Sequence, residues 1–188
     1  MGFVTPTLEA ARLILCPLQL SDADQVQVLF PHWEIVRYLH SRVPWPYPSN
    51  GAYTFYHDVA LPAVENATAW EWTLRLKSEP ERVIGAISLR KSEADNRGFW
   101  LGLAWQRKGL MTEACDAVTA FWFDTLGCDV LRVSKAVPNV ASRKISIKQG
   151  MRVVSVEERE YVCGRLPAEV WVITAEEWRA RRSQTSPR

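Results

Sequence analysis

The chain carries neither of the familiar glycine-rich nucleotide loops. No Gly-x-x-x-x-Gly-Lys-Ser/Thr stretch and no Gly-x-Gly-x-x-Gly stretch occurs, which excludes a P-loop nucleotide hydrolase and a dinucleotide fingerprint. Cysteine is scattered, at Cys16, Cys115, Cys128 and Cys163, with no Cys-x-x-Cys pair. That argues against a metal site or a disulfide framework and for reduced thiols in a cytoplasmic protein. The histidines, His32, His40 and His57, all lie in the first third of the chain. No run approaches the roughly 18 apolar residues of a membrane span, so no membrane partner is expected. An excess of one charge is also missing. The net charge of +2 leaves no electrostatic footprint for nucleic acid, and the run Arg179-Ala180-Arg181-Arg182 reads as a solvated helix end. The opening Met1–Ala10 has neither a basic region nor an apolar core of a signal peptide, and Pro6 stands where a myristoylation motif needs Ser or Thr. Without a secretory signal, Asn66-Ala67-Thr68 is a chance glycosylation match.

What is present has a globular balance. Hydrophobic residues make up 47% and charged residues 23% of 188, enough for one domain with a substantial core. Residues 12–18 form a strand that Pro17 confines to an edge or an end. Ser21 and Asp24 approximate a capping box at the start of a helix. Three prolines in residues 43–50 make a loop, and Ser49 or Asn50 caps a second helix towards residue 65. Residues 70–76, 82–90 and 97–105 read as an antiparallel meander. From Gly109 the pattern turns helical, with Leu110, Ala114, Ala117, Val118, Phe121 and Trp122 on one face and Gly127 as the stop. A strand at 130–137, a short helix closed by Gly150 and a final strand pair complete the order β-α-α-β-β-β-α-β-α-β-β. The reading is one α/β domain on a mixed sheet, folded over residues 1–182, with 183–188 a disordered tail.

Residues 105–114, Trp-Gln-Arg-Lys-Gly-Leu-Met-Thr-Glu-Ala, put two cations and a glycine where a strand gives way to a helix. A helix start has N–H groups without intrahelical partners and a partial positive charge, and it holds anions, phosphates above all. By itself the stretch reads more simply as an ordinary β-to-α turn with solvated cations.

Its surroundings resemble the GNAT superfamily of N-acetyltransferases, and more narrowly the RimJ/RimL type, which acetylates ribosomal-protein N-termini. The family loop Q/R-x-x-G-x-G/A reads Gln106-Arg107-Lys108-Gly109-Leu110-Met111. Asn-x-x-Ser reads Asn139-Val140-Ala141-Ser142, and Lys-x-Gly-Phe reads Lys148-Gln149-Gly150-Met151. Residues 11–24 are similar to the family's first strand and helix, and 43–48 to a loop it often carries. The likeness spans roughly residues 8–178. Arg107 stands where many relatives have Gly, and Met111 where many have Gly or Ala.

The resemblance implies a mixed, mostly antiparallel sheet flanked by helices, with acetyl-CoA as co-substrate in a cleft between splayed strands. Arg107, Lys108, Gly109, Leu110, Met111 and Thr112 would hold the pyrophosphate. Leu101, Gly102 and Leu103 would meet the pantetheine arm and the thioester, with a bulge at Gly102. Asn139 and Lys148 complete the implied cofactor contacts. Glu160, in a Glu-Tyr pair with Tyr161, is the implied base, and Ser142 the implied acid. Against these stand plainer readings: Glu160 as a solvated carboxylate with Glu157 and Glu158 as rivals, Ser142 and Asn139 as helix-start residues, and Gly102 as relief from crowding. Cys163 permits an acyl-cysteine route, but no His follows residue 57 to activate it. Trp33, Trp45 and Tyr47, in helical or Pro-rich connections, are candidates to line an acceptor cleft. The acceptor is a primary amine, a protein N-terminus or else a small molecule; a CoA-binding protein without catalysis is the alternative class. Relatives often dimerise, so the resemblance allows a homodimer, although the sequence itself does not fix the oligomeric state.

Overall fold

The computed structural model of the protein describes residues 4–185. Five strands form one sheet, in the order β1 (Leu8–Glu9), β2 (Leu13–Pro17), β3 (Ala69–Leu76), β4 (Gly85–Arg90), β5 (Arg97–Leu101). Three form a second, in which β8 (Gly164–Thr174) lies between β6 (Val130–Ala136) and β7 (Arg152–Tyr161). Helices α1 (Ala23–Leu29), α2 (Trp33–Val36), α3 (Gly51–Phe55) and α4 (Leu61–Glu65) lie between β2 and β3. Helix α5 (Leu110–Ala120) connects β5 to β6, α6 (Val140–Lys148) connects β6 to β7, and α7 (Ala175–Thr185) follows β8. The α/β architecture is the one expected. Helix α7 runs past the boundary set at residue 182, so Ser183 to Thr185 are helical, and residues 186–188 of the expected tail lie outside the described residues.

Every ladder within either sheet is antiparallel. The sheets meet at β5 and β6 without forming a ladder. Asn96 N–H donates to the Arg132 carbonyl at 2.8 Å, and Arg132 N–H to Asn96 Oδ1 at 2.7 Å. Asp95 accepts from Ser134 N–H. Contacts then advance together, from Asn96 and Arg132 to Phe99 and Lys135, so the two strands run in the same direction. No ladder joins the two strands, and this unladdered seam is the splay.

The core explains the pairing. Strand β3 alternates Trp70, Trp72 and Leu74 with Glu71 and Thr73, and all are buried, because helices cover both faces of the sheet. On one side the Phe121 ring meets Trp72 edge-on at 5.5 Å, beside Leu110, Ala114 and Val118 of α5. Full burial of a side chain like Trp72 is worth on the order of 4–6 kcal/mol. On the other side the polar alternates are neutralised. Asp22 pairs with Arg75 at 2.7 Å and accepts from Thr73 at 3.2 Å, and Glu71 pairs with Arg90 at 3.1 Å. Burial still pushes the Glu71 carboxyl up to about 7, against the pull of Arg90.

Three local expectations need correction. The capping box before α1 is made by Gln19 and Asp22 rather than Ser21 and Asp24, because a 3-10 turn, Leu20–Asp22, precedes the helix and turns Asp22 inward to Arg75. Asn50 occupies the helix start before α3 but makes no side-chain cap; α3 and α4 join through a π turn, Tyr56–Ala60. The strand expected to reach residue 105 stops at Leu101, and Leu103–Trp105 is a 3-10 turn.

Candidate functional site

The junction after β5 is built to leave a helix end open. Gly109 is the N-cap of α5 at φ 78°, a left-handed conformation that glycine adopts freely. No side chain caps the first turn. A Cβ at Gly109 would meet only Arg12 Nη2, at 3.5 Å, so the backbone here is bare rather than packed. Arg107 is also left-handed, at φ 61°. A residue with a Cβ is strained there by about 1–2 kcal/mol; here the turn keeps its shape with an arginine in it. Arg107, Lys108 and Gly109 are exposed. Leu110 and Met111 are buried in the core, so only their backbone N–H groups can serve a ligand. Thr112 is half-buried in the same turn.

One residue of this site went unforeseen. Arg12, just before β2, bonds Glu113 in the first turn of α5 through Nε at 2.9 Å and through its backbone N–H. The carboxylate suits the positive end of the helix and holds the Arg12 guanidinium beside Gly109. Nothing in the sequence near Arg12 signalled that neighbour, which is 101 residues away.

Gly102 does not form the expected bulge. Its N–H donates to the Ile84 carbonyl at 2.8 Å, and a Cβ on it would lie 2.9 Å from the Trp105 ring. Gly102 therefore relieves crowding, the plainer of its two readings. Leu103, expected on the strand, sits exposed in the 3-10 turn. Leu101 closes the strand with its side chain buried.

Across the splay, Asn139 caps α6. Its Oδ1 accepts from Ser142 N–H at 3.2 Å. Ser142 is buried, and it is its backbone, not its hydroxyl, that completes the cap. Lys148 is exposed in the last turn of α6, beside a cavity of about 540 Å³ shared with Glu113, Asp116, Gln149 and Trp178. Its carbonyl accepts from Arg181 Nη2 at 3.0 Å.

The β7–β8 register fixes the direction of Glu160. It pairs with Arg165, two and four residues before Pro167 and Glu169 on β8, and Glu169 binds Arg143 of α6 at 2.7 Å. Glu160 therefore projects from the α6 side of the sheet. Its side chain is 61% exposed and 4.0 Å from Arg165. Glu158 shares that side, 3.7 Å from Arg165. Glu157 takes the opposite face, where it bonds Arg159 at 3.2 Å, and Arg159 bonds Asp95 at 2.6 Å. The structure brings residues 107–112 together with Arg12, and Asn139 with Ser142; it gives Glu160 no contact with either group. Trp33 and Trp45 are exposed and pair at 5.6 Å, whereas Tyr47 packs on Phe30. Among the described residues, no helix is long and apolar enough to cross a membrane.

Residues 12–152 match the acetyltransferase (GNAT) domain model, and the chain belongs to that family. No curated protein matches the sequence. Among solved structures, the ribosomal-protein-S5-alanine acetyltransferase of Vibrio fischeri is 14% identical, with a TM-score of 0.76, over 92% of this chain and 98% of that one. RimJ of Mycobacterium smegmatis, in complex with a CoA disulfide, is 14% identical, with a TM-score of 0.77, over 92% and 89%. The microcin C7 self-immunity acetyltransferase, in complex with acetyl-CoA and AMP, is 17% identical, with a TM-score of 0.72, over 87% and 93%.

Proposed function

We propose that the chain transfers the acetyl group of acetyl-CoA to a primary amine, the α-amine of a protein N-terminus. The observation that carries this reading is the uncapped start of α5 at the mouth of the splay, ringed by Arg12, Arg107 and Lys108. The N–H groups of residues 110–112 and those cations suit a pyrophosphate. The pantetheine arm would follow the unladdered seam between β5 and β6 beyond Phe99 and Lys135, with the thioester level with Leu101–Leu103. Neighbours of the same fold that acetylate ribosomal proteins support the choice of acceptor. So does the openness of β7: a carboxylate 61% exposed can meet a chain terminus that no closed pocket would admit.

Attack needs a neutral amine. Glu160 takes the proton as the C–N bond forms, directly or through one water. The Ser142 hydroxyl, at the start of α6, returns a proton to the departing thiolate, and Asn139 holds α6 in place. Thiol release from acetyl-CoA tests the reading, with peptides bearing free N-termini set against spermidine. Glu160→Gln is expected to cut turnover by roughly 10²–10⁴-fold with CoA affinity kept, and to recover in part at higher pH, where more amine is free. Wild-type turnover by this variant would remove Glu160 from the role; release with spermidine but not with peptides would remove the N-terminal acceptor.

A further inference from the structure

Two buried cations at the floor of the splay have no part in the reading above. Arg97 on β5 and Lys135 on β6 are 5% and 6% exposed. Arg97 donates Nη1 to Thr119 Oγ1 at 2.7 Å, but its Nε and Nη2 have no hydrogen-bond partner. The Lys135 ammonium lies 4.4 Å from the centre of the Phe99 ring. Other shielded cations in the fold are matched with carboxylates, Arg75 with Asp22 and Arg143 with Glu169; among the described residues no ion pair reaches Arg97 or Lys135. An unpaired buried charge costs several kcal/mol. Burial, and then the neighbouring Arg97, hold the Lys135 amine down to about 7. The methyl end of an acetyl group asks only for apolar neighbours, whereas the side chains here are two cations with spare donors.

We infer that Arg97 and Lys135 form an anion subsite for the terminal carboxylate of a dicarboxylic acyl-CoA, of the size of succinyl-CoA. The inference rests on the reading that the thioester lies level with Leu101. Phe99 is two residues below it, about 7 Å along a strand. The three C–C bonds from thioester carbon to carboxylate carbon in a succinyl chain reach about 4 Å, and a charge-assisted hydrogen bond adds about 2.8 Å. The acyl chain thus bridges from thioester to ammonium, and a malonyl chain falls one bond short. Transfer from such a donor keeps the same chemistry. The amine nitrogen bonds to the thioester carbonyl carbon, the C–S bond breaks, the amine proton goes to Glu160, and CoA leaves as the thiolate that Ser142 protonates.

Titration calorimetry with CoA, acetyl-CoA and succinyl-CoA tests this on the wild-type protein. Succinyl-CoA is expected to bind about 10–100-fold more tightly than acetyl-CoA, the worth of a charged hydrogen bond. Lys135→Met, which keeps length and loses charge, should bring the two affinities within a few-fold of each other. If CoA itself binds but the wild type binds both thioesters alike, the subsite is overturned and the CoA site stands. A preference that survives in Lys135→Met also overturns it. Failure of CoA to bind overturns both.

Discussion

The starts of α5 and α6 meet one problem in opposite ways. Each helix follows a strand of the splay, and each has first-turn N–H groups that the helix cannot satisfy. At α6 the chain supplies the acceptor, Asn139 Oδ1, to Ser142 N–H at 3.2 Å. At α5 the N-cap residue supplies none: it is Gly109, Arg107 takes a left-handed turn, and the carboxylate of the first turn, Glu113, is turned to Arg12. A capped end is finished by its own chain. An uncapped end with bare backbone and positive charge is finished from outside, by an anion.

The comparison can be broken at either end. The largest effect is expected from Gly109→Asp. A carboxylate at the α5 N-cap both supplies the missing acceptor and repels a phosphate, so calorimetry should find CoA affinity down by roughly 10²–10⁴-fold, the loss of about two charged hydrogen bonds. The fold should persist at a cost of about 1–2 kcal/mol for a Cβ at this left-handed φ, since only Arg12 Nη2 lies near the new Cβ. Unchanged affinity would mean that α5 is not the open end.

Ser142→Ala comes next. Because the cap uses the backbone of Ser142, loss of its hydroxyl should leave the melting temperature within a degree or two and lower turnover by about 100-fold. A variant that melts early and turns over normally would give the hydroxyl to structure.

Asn139→Ala should do the reverse. Loss of a cap costs about 1 kcal/mol, a few degrees in thermal unfolding for a domain of this size, while CoA affinity falls less than tenfold. A collapse of affinity without loss of stability would make Asn139 a ligand rather than a cap. The smallest effect belongs to Arg107→Gly. Glycine relieves left-handed strain but loosens the unfolded chain, so urea unfolding should move by less than about 1 kcal/mol. The lost cation should weaken CoA a few-fold, and more weakly at high salt.

Several features could be read from residue order because they depend on near neighbours. The alternation of β3, the apolar face from Leu110 through α5 to Phe121 and Trp122 in the π turn that follows it, and the glycines at 109, 127 and 150, each with positive φ, are local facts of periodicity and backbone sterics. So was the candidate anion site, since an N-terminal turn, a glycine and two cations lie within five residues. Lys135 was not singled out in the sequence, although it is in step with the buried Leu131 and Val133 on β6.

Other features required the chain to come together. Strand β5 stops at Leu101 because Trp105 folds back over Gly102, which no propensity foretells. Asp22, not singled out in the sequence, turns inward because Arg75 and Thr73 wait on the sheet. Arg12 joins the α5 turn through Glu113, across 101 residues. The direction of Glu160 depends on its pairing with Arg165, since in a strand a shift of one residue turns a side chain to the other face. Sequence by itself determined the α/β class, the family motifs and the junction that holds positive charge against bare backbone, because these rest on spacing within one or two turns of chain. Tertiary structure alone decided which carboxylate of β7 faces α6, which arginine guards Gly109, and that Arg97 and Lys135 share a floor, because each depends on the register and the angle at which two sheets meet.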